Sequence, residues 1–210
     1  SLLTYLQEKA VTVATLTPVY LGILDISRLR FLRVLITAGE PADAGIASAC
    51  SRFLAYFNAY GPTEYSVCAT IYQVKAGAHL GKRVPIGAPI ANTSVFVLDS
   101  MHTPAPVGIT GRLFISGAGL AMGYRNNIGL TGKKFVPHWN NPDELMYDTG
   151  DLARWLPDGN LDFIGRNDDL IKINGIRVEP DEIRHVLQMH PVVDRCVILT
   201  GGTPNGKGLF

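Results

Sequence analysis

The stretch that decides the fold reads Asn58-Ala59-Tyr60-Gly61-Pro62-Thr63-Glu64. The apolar residues before it, Phe53, Leu54 and 56–57, predict a buried strand, and the Gly-Pro pair predicts its end. We therefore expect the polar side chains on a loop at the strand end, the edge where open α/β sheets bind ligands. An aromatic ring, a hydroxyl and a carboxylate suit a base, a phosphate oxygen and Mg²⁺. The same residue types also cap helices, so an ordinary strand-to-helix turn stays open.

The residues before this stretch alternate between helix and strand patterns. Apolar spacing predicts a helix at 2–6, and β-branched runs predict strands at 11–16 and 34–38. Pro18 is placed to begin a short helix, and a second apolar face at 46–50 predicts another. This alternation favours a layered parallel sheet.

The residues after this stretch predict mostly short β-strands instead of alternating helices and strands. Short alternating runs at 93–98 and 112–116, and a hairpin turn at 157–160, predict antiparallel strands. Beyond residue 167 we expect two short strands, a helix opened by Pro180, and a strand at 192–199. The predicted fold class is α/β: a layered sheet and helix subdomain (1–84), a small antiparallel β subdomain (85–167) and the start of a small α+β C-terminal domain (168–210).

The composition argues against a nucleic-acid-binding protein and against a membrane protein. The 210 residues are 47% hydrophobic, enough for a sizeable core, and a net charge of +1 argues against nucleic acid or an anionic membrane as partner. No apolar run approaches the roughly 20 residues of a membrane span. Three widely spaced cysteines favour buried thiols in a reducing compartment, so we expect a cytoplasmic protein.

Two further polar stretches follow along the chain. In Tyr147-Asp148-Thr149-Gly150-Asp151-Leu152 a carboxylate comes directly after a glycine, where an exposed Asp151 is placed to accept hydrogen bonds from ribose hydroxyls. In Gly165-Arg166-Asn167-Asp168 a guanidinium is placed to reach a nucleotide. Taken separately, the first is more typical of an ordinary Asp turn, and the second is as compatible with a charged surface turn as with a nucleotide contact.

Together four stretches resemble one family closely, the adenylate-forming superfamily, and within it the amino-acid adenylation domains of nonribosomal peptide synthetases. The first two are 58–64 and Gly111-Arg112-Leu113-Phe114-Ile115-Ser116-Gly117-Ala118-Gly119-Leu120-Ala121-Met122-Gly123-Tyr124. The other two are 147–152 and 165–179. The resemblance spans essentially all 210 residues but less than half of such a domain.

The resemblance implies a two-step reaction. An amino-acid carboxylate attacks the α-phosphate of Mg-ATP, and the aminoacyl adenylate then passes to the phosphopantetheine thiol of a peptidyl carrier protein. It implies catalytic roles for Thr63, at phosphate, and Glu64, at Mg²⁺. Nucleotide contacts are implied for Gly39, Glu40, Pro41, Asn58, Tyr60, Asp151, Phe163 and Arg166. Asp168 matches the hinge of the small domain. Implied partners are the amino acid, the carrier protein, neighbouring synthetase domains and a small helper protein.

The resemblance also implies a side-chain pocket, lined by Thr15, Ile36, Ala38, Ala59, Val67 and Cys68. All six are small or apolar, which favours a large apolar substrate because a polar one would lose its water with no partner. The set resembles that of phenylalanine-activating domains.

Three departures from the family pattern qualify the resemblance. These 210 residues contain neither the Ser/Thr/Gly-rich phosphate loop nor the lysine that contacts the reacting groups, so we expect the isolated segment to lack adenylation turnover. Arg112 stands where the family usually has Glu, a departure that concerns local structure. Two alternatives remain open: an acyl- or aryl-CoA ligase of the same superfamily, and a non-catalytic binding unit.

Overall fold

The computed structural model describes residues 2–81 and 83–167 and, further along the chain, 171–173, 176–178, 180–190, 192–193, 196, 198, 200–203 and 206–209. The chain forms two compact units, residues 1–167 and residues 168–210. Helices and sheets are mixed, and the predicted α/β fold class is confirmed.

The first sheet has five strands in sequence order: β1 (Val13–Leu16), β2 (Val34–Thr37), β3 (Ala55–Tyr60), β4 (Thr70–Val74) and β5 (Ala88–Pro89). The first three run parallel, whereas β4 and β5 each pair antiparallel with the strand before. The prediction of a parallel sheet is therefore right for β1 to β3 and wrong for β4, whereas β5 lies in the part of the chain for which antiparallel strands are predicted. The loop from β3 to β4 is too short for the crossover of about a dozen residues that a parallel pair needs.

Three short helices connect the strands or precede them: α1 (Leu2–Glu8), α2 (Pro18–Ile23) and α3 (Ala44–Cys50). Helix α3 begins at a side-chain cap, because the Asp43 carboxylate accepts a hydrogen bond from the Ile46 amide at 2.8 Å. Its buried Ala47 packs in one cluster with Leu35 and Tyr56 of the sheet. The first core therefore lies between one face of the sheet and the helices.

Strand β3 begins and ends later than the sequence predicts. Phe53, expected in a buried strand, is 85% exposed and lies in the turn that follows α3. The strand instead starts at Ala55 and runs to Tyr60, so Asn58 and Tyr60 are strand residues and not loop residues. Pairing with β2 on one side and β4 on the other carries the strand to the Gly-Pro pair.

The second sheet is antiparallel, as predicted for this part of the chain. Its strands are β6 (Thr93–Leu98), β7 (Gly111–Gly117), β8 (Phe135–Pro137), β9 (Leu145–Trp155) and β10 (Leu161–Arg166), ordered β10-β9-β7-β6 with β8 also on β9. Helix α4 (Ile128–Lys134) precedes β8. Strand alternation sends Val97 and Leu113 to one core cluster, and Leu98 and Phe114 to a second cluster on the opposite face.

The unit 168–210 contains β11 (Ile171–Ile173), β12 (Ile176–Val178), α5 (Pro180–Gln188), β13 (Thr200–Thr203) and β14 (Gly206–Leu209). Strands β11 and β12 pair antiparallel, as do β13 and β14. None of the described residues in 192–199 lies in a strand, so that prediction is wrong for them. Asp168 and the turn at 174–175 lie outside the described residues. Within the described parts of the chain no helix is long and apolar enough to cross a membrane.

Our first prediction concerns Tyr56, whose side chain is 1% exposed and whose hydroxyl shares a 2.8 Å hydrogen bond with that of Thr37. Burial raises the pKa of Tyr56 from 10.0 to about 12. The unfolded chain therefore releases this proton first, and the folded state loses stability as pH rises from about 10 toward 12. From about pH 8 to about pH 11, the unfolding free energy of wild type should fall about 1 kcal/mol further than that of Tyr56→Phe.

Chemical denaturation at the two pH values measures this difference. Tyr5→Phe is the control, because Tyr5 is 56% exposed. We expect Tyr5→Phe to follow wild type, and a Tyr56→Phe protein with the wild-type pH dependence would contradict the assignment.

Candidate functional site

The end of β3 separates two sets of candidate residues. Successive side chains of a strand point to opposite faces, so Asn58 and Tyr60 share one face while Phe57 and Ala59 share the other. Asn58 is buried and donates a hydrogen bond from Nδ2 to the Pro85 carbonyl oxygen at 2.8 Å. Its amide therefore fixes the end of β3 to the segment before β5.

Tyr60 is joined to the second sheet through a carboxylate. Its hydroxyl donates a short hydrogen bond to Asp151 Oδ2, and Arg166 Nη1 binds Asp151 Oδ1 at 2.6 Å. The Phe163 ring lies 6.3 Å from the Tyr60 ring, measured between centroids. The structure thus brings together four residues predicted for the nucleotide site from three strands, β3, β9 and β10.

A bulge in β9 aims Asp151 at this cluster. The Thr149 hydroxyl donates to the Leu113 carbonyl oxygen at 2.7 Å and accepts from the Asp151 amide at 3.0 Å. Gly150 has φ +72, in the left-handed region that favours glycine. The turn of the backbone at Thr149-Gly150 therefore directs the Asp151 side chain toward Tyr60.

Asp151 is not the exposed carboxylate that the sequence suggests. It is only 5% exposed, because β9 lies between β7 and β10 and the two carboxylate oxygens are bonded to the Tyr60 hydroxyl and to Arg166. Burial and the neighbouring Asp151 carboxylate raise the pKa of the Tyr60 hydroxyl well above its usual value. Tyr60 therefore stays protonated and acts as a hydrogen-bond donor.

Glu64, the candidate metal ligand, is held by tyrosine. The carboxylate is 5% exposed, and its Oε1 accepts a short hydrogen bond from the Tyr124 hydroxyl. That hydroxyl lies 3.3 Å from the hydroxyl of Tyr147. Burial, the hydrogen bond with Tyr124 and the Glu64 charge together raise the pKa of Tyr147 far above its usual range.

The donor set fits one kind of metal site. No group of three or more His, Cys, Asp or Glu that could hold a metal occurs among the described residues. A single carboxylate suits Mg²⁺, which keeps several waters and is commonly held by one or two carboxylates together with substrate phosphates. Glu64 thus fits a magnesium ion that arrives with a phosphate substrate.

The loop that follows Tyr60 is tightly folded and strained. Val67 has φ +73, a rare conformation for a β-branched residue, and its side chain is 74% exposed. Cys68 is half-buried, and burial raises its pKa. Thr63 is exposed in the turn that is closed by the Tyr65 amide and the Pro62 carbonyl. This loop therefore presents Thr63 and Val67 to solvent beside the buried Glu64.

The adenine candidates lie at the same edge of the first sheet. Thr37, the last residue of β2, pairs with Asn58, so the segment Gly39-Glu40-Pro41 leaves the sheet beside the end of β3. Gly39 has φ +95, which requires glycine at this turn. Glu40 is half-buried and Pro41 exposed.

The pocket candidates lie in three places. Thr15 and Ile36 are register partners on adjacent strands, and Ile36 pairs in turn with Phe57, two residues before Ala59. These side chains share one face of the sheet. Ala38 follows the end of β2, whereas Val67 and Cys68 belong to the strained loop. Phe57 joins this face as a residue that the sequence interpretation did not include.

Tyr124, Tyr147 and Thr149 are site residues that sequence reasoning did not single out. All three lie inside stretches quoted for the resemblance, which is the signal that was available. Their partners are far apart in sequence, with 60 positions between Tyr124 and Glu64 and 36 between Thr149 and Leu113. Only the folded arrangement of the sheets brings these pairs together.

An α/β fold with this polar cluster at a sheet edge is typical of nucleotide-binding enzymes. The family described as AMP-binding enzyme matches residues 1–125, more than half of the chain, so the chain belongs to the AMP-binding enzyme family. It is 44% identical over 195 residues to tyrocidine synthase 1 of Brevibacillus parabrevis, and 42% identical over 194 residues to gramicidin S synthase 1 of Brevibacillus brevis. These matches cover 93% and 92% of this chain and 18% of each relative.

Solved structures with the same fold are adenylation domains of nonribosomal peptide synthetases. NpsA-ThdA, an artificially fused adenylation–PCP di-domain of a nonribosomal peptide synthetase from Klebsiella oxytoca, superposes with a TM-score of 0.87 at 27% identity, covering 99% of this chain and 43% of that one. Klebsiella oxytoca NpsA in complex with 3-hydroxyanthranilyl-AMSN gives 0.73 at 27% identity, covering 99% and 44%. The resemblance to such adenylation domains is confirmed, and the chain spans less than half of these relatives.

Our second prediction concerns Gly61. A Cβ there would lie 2.5 Å from the Val67 carbonyl oxygen and 2.7 Å from the Cys68 Cα, and both are backbone atoms that cannot rotate away. Gly61→Ala must displace the loop that carries Glu64, and we expect it to lower the unfolding free energy by about 1–3 kcal/mol. Gly22→Ala is the matched control, because a Cβ at Gly22 meets nothing within 4 Å. Chemical denaturation that showed equal stability for the two variants would contradict this packing.

Proposed function

We propose that the protein containing this chain activates an amino acid with ATP, forming an aminoacyl adenylate and pyrophosphate. The observation that carries the proposal is the cluster of Tyr60, Asp151 and Arg166 at the joined edges of two sheets. Family membership and the similarity to peptide synthetases support the reaction class.

The residues at this edge have complementary roles in the proposal. Asp151 accepts hydrogen bonds from the ribose hydroxyls, since an ionised carboxylate has only acceptors and each of its oxygens can accept more than one hydrogen bond. Tyr60 and Phe163 present aromatic faces to the adenine, and 39–41 line its other edge. Arg166 holds the Asp151 carboxylate in place and supplies positive charge close to the nucleotide.

Glu64 and Thr63 act on the phosphate side. Glu64 would hold Mg²⁺, which when bound neutralises phosphate charge and orients the triphosphate. The Tyr124 hydroxyl fixes the orientation of the Glu64 carboxylate, so the ligand oxygen is positioned before the substrate arrives. Thr63 is exposed beside it and places a hydroxyl where a phosphate oxygen can accept its proton.

The substrate class follows from the sheet face opposite Tyr60. Thr15 and Ile36 lie side by side there, with Ala59 farther along β3, and none of these residues carries a charge. A polar side chain would lose its water without gaining a partner, whereas a large apolar one buries surface worth about 25 cal/mol per Å². We propose phenylalanine or a similar large apolar amino acid.

The second step passes the acyl group to a carrier protein. The solved neighbours named adenylation–PCP support a phosphopantetheine thiol of a carrier protein as acceptor. Asp168 would be the hinge for the movement between the two steps. A cytoplasmic location fits the three free cysteines, of which Cys50 stays protonated because burial raises its pKa to about 11.

An aryl acid is the second candidate substrate. It is favoured by one observation, that the solved NpsA structure carries 3-hydroxyanthranilyl-AMSN. An apolar pocket accepts the aromatic ring of an amino acid such as phenylalanine and that of an aryl acid. The two substrates differ in the α-ammonium group, which only the amino acid carries.

Our third prediction tests these substrate classes. In pyrophosphate exchange, the full-length protein should incorporate label into ATP in response to amino acids, with phenylalanine the best or nearly the best. The physical reason is the uncharged pocket, which discriminates by about 1–3 kcal/mol per methylene of misfit. Exchange driven by aryl acids and not by amino acids would support the second candidate, and no exchange with either would contradict the proposal.

Our fourth prediction tests the ribose role. Asp151→Asn keeps the side-chain volume but loses the charge, and charge-assisted hydrogen bonds contribute roughly 1.5–3 kcal/mol each, so the KM for ATP should rise at least about tenfold. The matched control is Asp162→Asn, which alters the other Arg–Asp pair of the same hairpin, Arg154 with Asp162 at 2.9 Å. A normal KM for ATP in Asp151→Asn, or an equal rise in both variants, would remove Asp151 from the nucleotide site.

A further inference from the structure

We propose that Arg112 is a positioning residue for the nucleotide site, acting from the opposite face of the second sheet through Asp148. This inference rests on the proposed function, because it concerns the carboxylate assigned to the ribose. Arg112 is also the residue at which the sequence departs from the family pattern.

Asp151, the residue to be positioned, lies in a bulge of β9 opposite β7. Phe114 pairs with Asp148, but Arg112 pairs with Leu152, so two steps along β7 correspond to four along β9. Three residues of β9, 149–151, therefore lie opposite the single residue Leu113 and form the bulge that carries Asp151. A bulge lacks regular ladder hydrogen bonds, so other contacts must hold its shape.

Asp148 supplies one of these contacts. Its Oδ1 accepts a hydrogen bond from the Gly150 amide at 3.2 Å, inside the bulge. Its Oδ2 forms a short salt bridge with Arg112 Nη2. The side chain of Asp148 is nearly buried, so Arg112 is the cation that compensates its charge. The two oxygens therefore connect the Arg112 guanidinium directly to the backbone of the bulge.

The Arg112 side chain is partly exposed, at 38%, and its guanidinium also lies against an aromatic ring. It lies 5.5 Å from the centre of the Phe114 ring, within the range of a cation–π contact. Its Nε is buried and makes no hydrogen bond within the described part of the chain. The salt bridge with Asp148 therefore dominates the polar contacts of this side chain.

Strand alternation keeps Arg112 away from the nucleotide. Arg112 and Phe114 share one face of β7, whereas Leu113 faces the core cluster against which Tyr60 packs. The hydrogen bond between Asp151 and Tyr60 lies on the same face as Leu113, opposite to Arg112. Arg112 thus contacts neither Asp151 nor a ligand bound there, and any effect on nucleotide binding must pass through Asp148 and the bulge.

The competing explanation is that Arg112 and Asp148 form an ordinary stabilising pair. The chain offers a control for it, because Arg154 on β9 pairs with Asp162 on β10 in direct register. That pair lies outside the bulge, and Asp162 Oδ2 accepts hydrogen bonds from Arg154 Nε at 3.1 Å and from Arg154 Nη2 at 2.9 Å. A purely stabilising role predicts equal consequences for the two arginines.

The experiment uses the full-length protein and compares Arg112→Met with Arg154→Met. We measure the dissociation constant for ATP by calorimetry, KM and kcat in pyrophosphate exchange, and hydrogen exchange of peptides spanning 147–152. Arg112→Met should bind ATP about tenfold more weakly, with the KM for the amino acid unchanged and faster exchange in the bulge. Arg154→Met should keep wild-type ATP affinity.

Arg112→Lys serves as the rescue, because it keeps a cation beside Asp148 Oδ2 and leaves Oδ1 to accept from the Gly150 amide. Arg112→Gln covers the case in which Arg112→Met does not fold, and it should lose ATP affinity in the same way. An ATP affinity closer to wild type in Arg112→Lys than in the neutral variants supports the inference. Wild-type ATP affinity in the neutral Arg112 variant, an equal loss in the Arg112 and Arg154 variants, or an Arg112→Lys protein no better than the neutral variant would overturn it. Failure of wild type itself to bind ATP would overturn the proposed function, and this inference with it.

Discussion

The hydrogen bond from Tyr60 to Asp151 is the contact on which the arrangement of the larger unit depends. It joins β3 of the first sheet to β9 of the second across 91 positions of sequence. Backbone bonds support the same junction, since the Ile86 amide donates to the Leu161 carbonyl at 2.8 Å and the Leu161 amide donates to Gly87 at 2.9 Å. The two sheet edges are thereby held together where the candidate site lies.

This contact explains the burial of Asp151, the carboxylate that we propose for the ribose. Asp151 takes part in the joint between sheets, so its orientation is determined by the fold and not by the nucleotide. A group held in its working position loses little further freedom on binding, which increases affinity and rate. Glu64 would likewise lose little freedom on binding, because its carboxylate is already oriented by Tyr124. Positioning in this site is therefore a property of the β scaffold.

Local patterns predicted much of this fold, because apolar runs, Pro18 and the turn at 157–160 act within a few residues. They predicted neither the antiparallel β4, whose direction follows from the short loop after β3, nor the extension of β3 to Tyr60, which depends on pairing with β2 and β4. The burial of Asp151 and the contacts of Tyr124 and Thr149 were missed because the partners of these residues lie far away in the sequence. Motif order identified the candidate residues, but a motif does not specify which side chains hold one another.

The β9 bulge shows how buried charge can select a geometry. Asp148 and Asp151 lie on either side of Gly150 and face opposite sides of the sheet, each paired with an arginine from a different neighbouring strand. Buried ion pairs add little stability compared with well-packed apolar side chains, but losing one partner leaves an uncompensated charge. A shift of β9 against β7 would separate Asp148 from Arg112, and a shift of β9 against β10 would separate Asp151 from Arg166. The two pairs therefore penalise alternative pairings of β9, and the conformation that presents Asp151 to Tyr60 is the one that satisfies both charges.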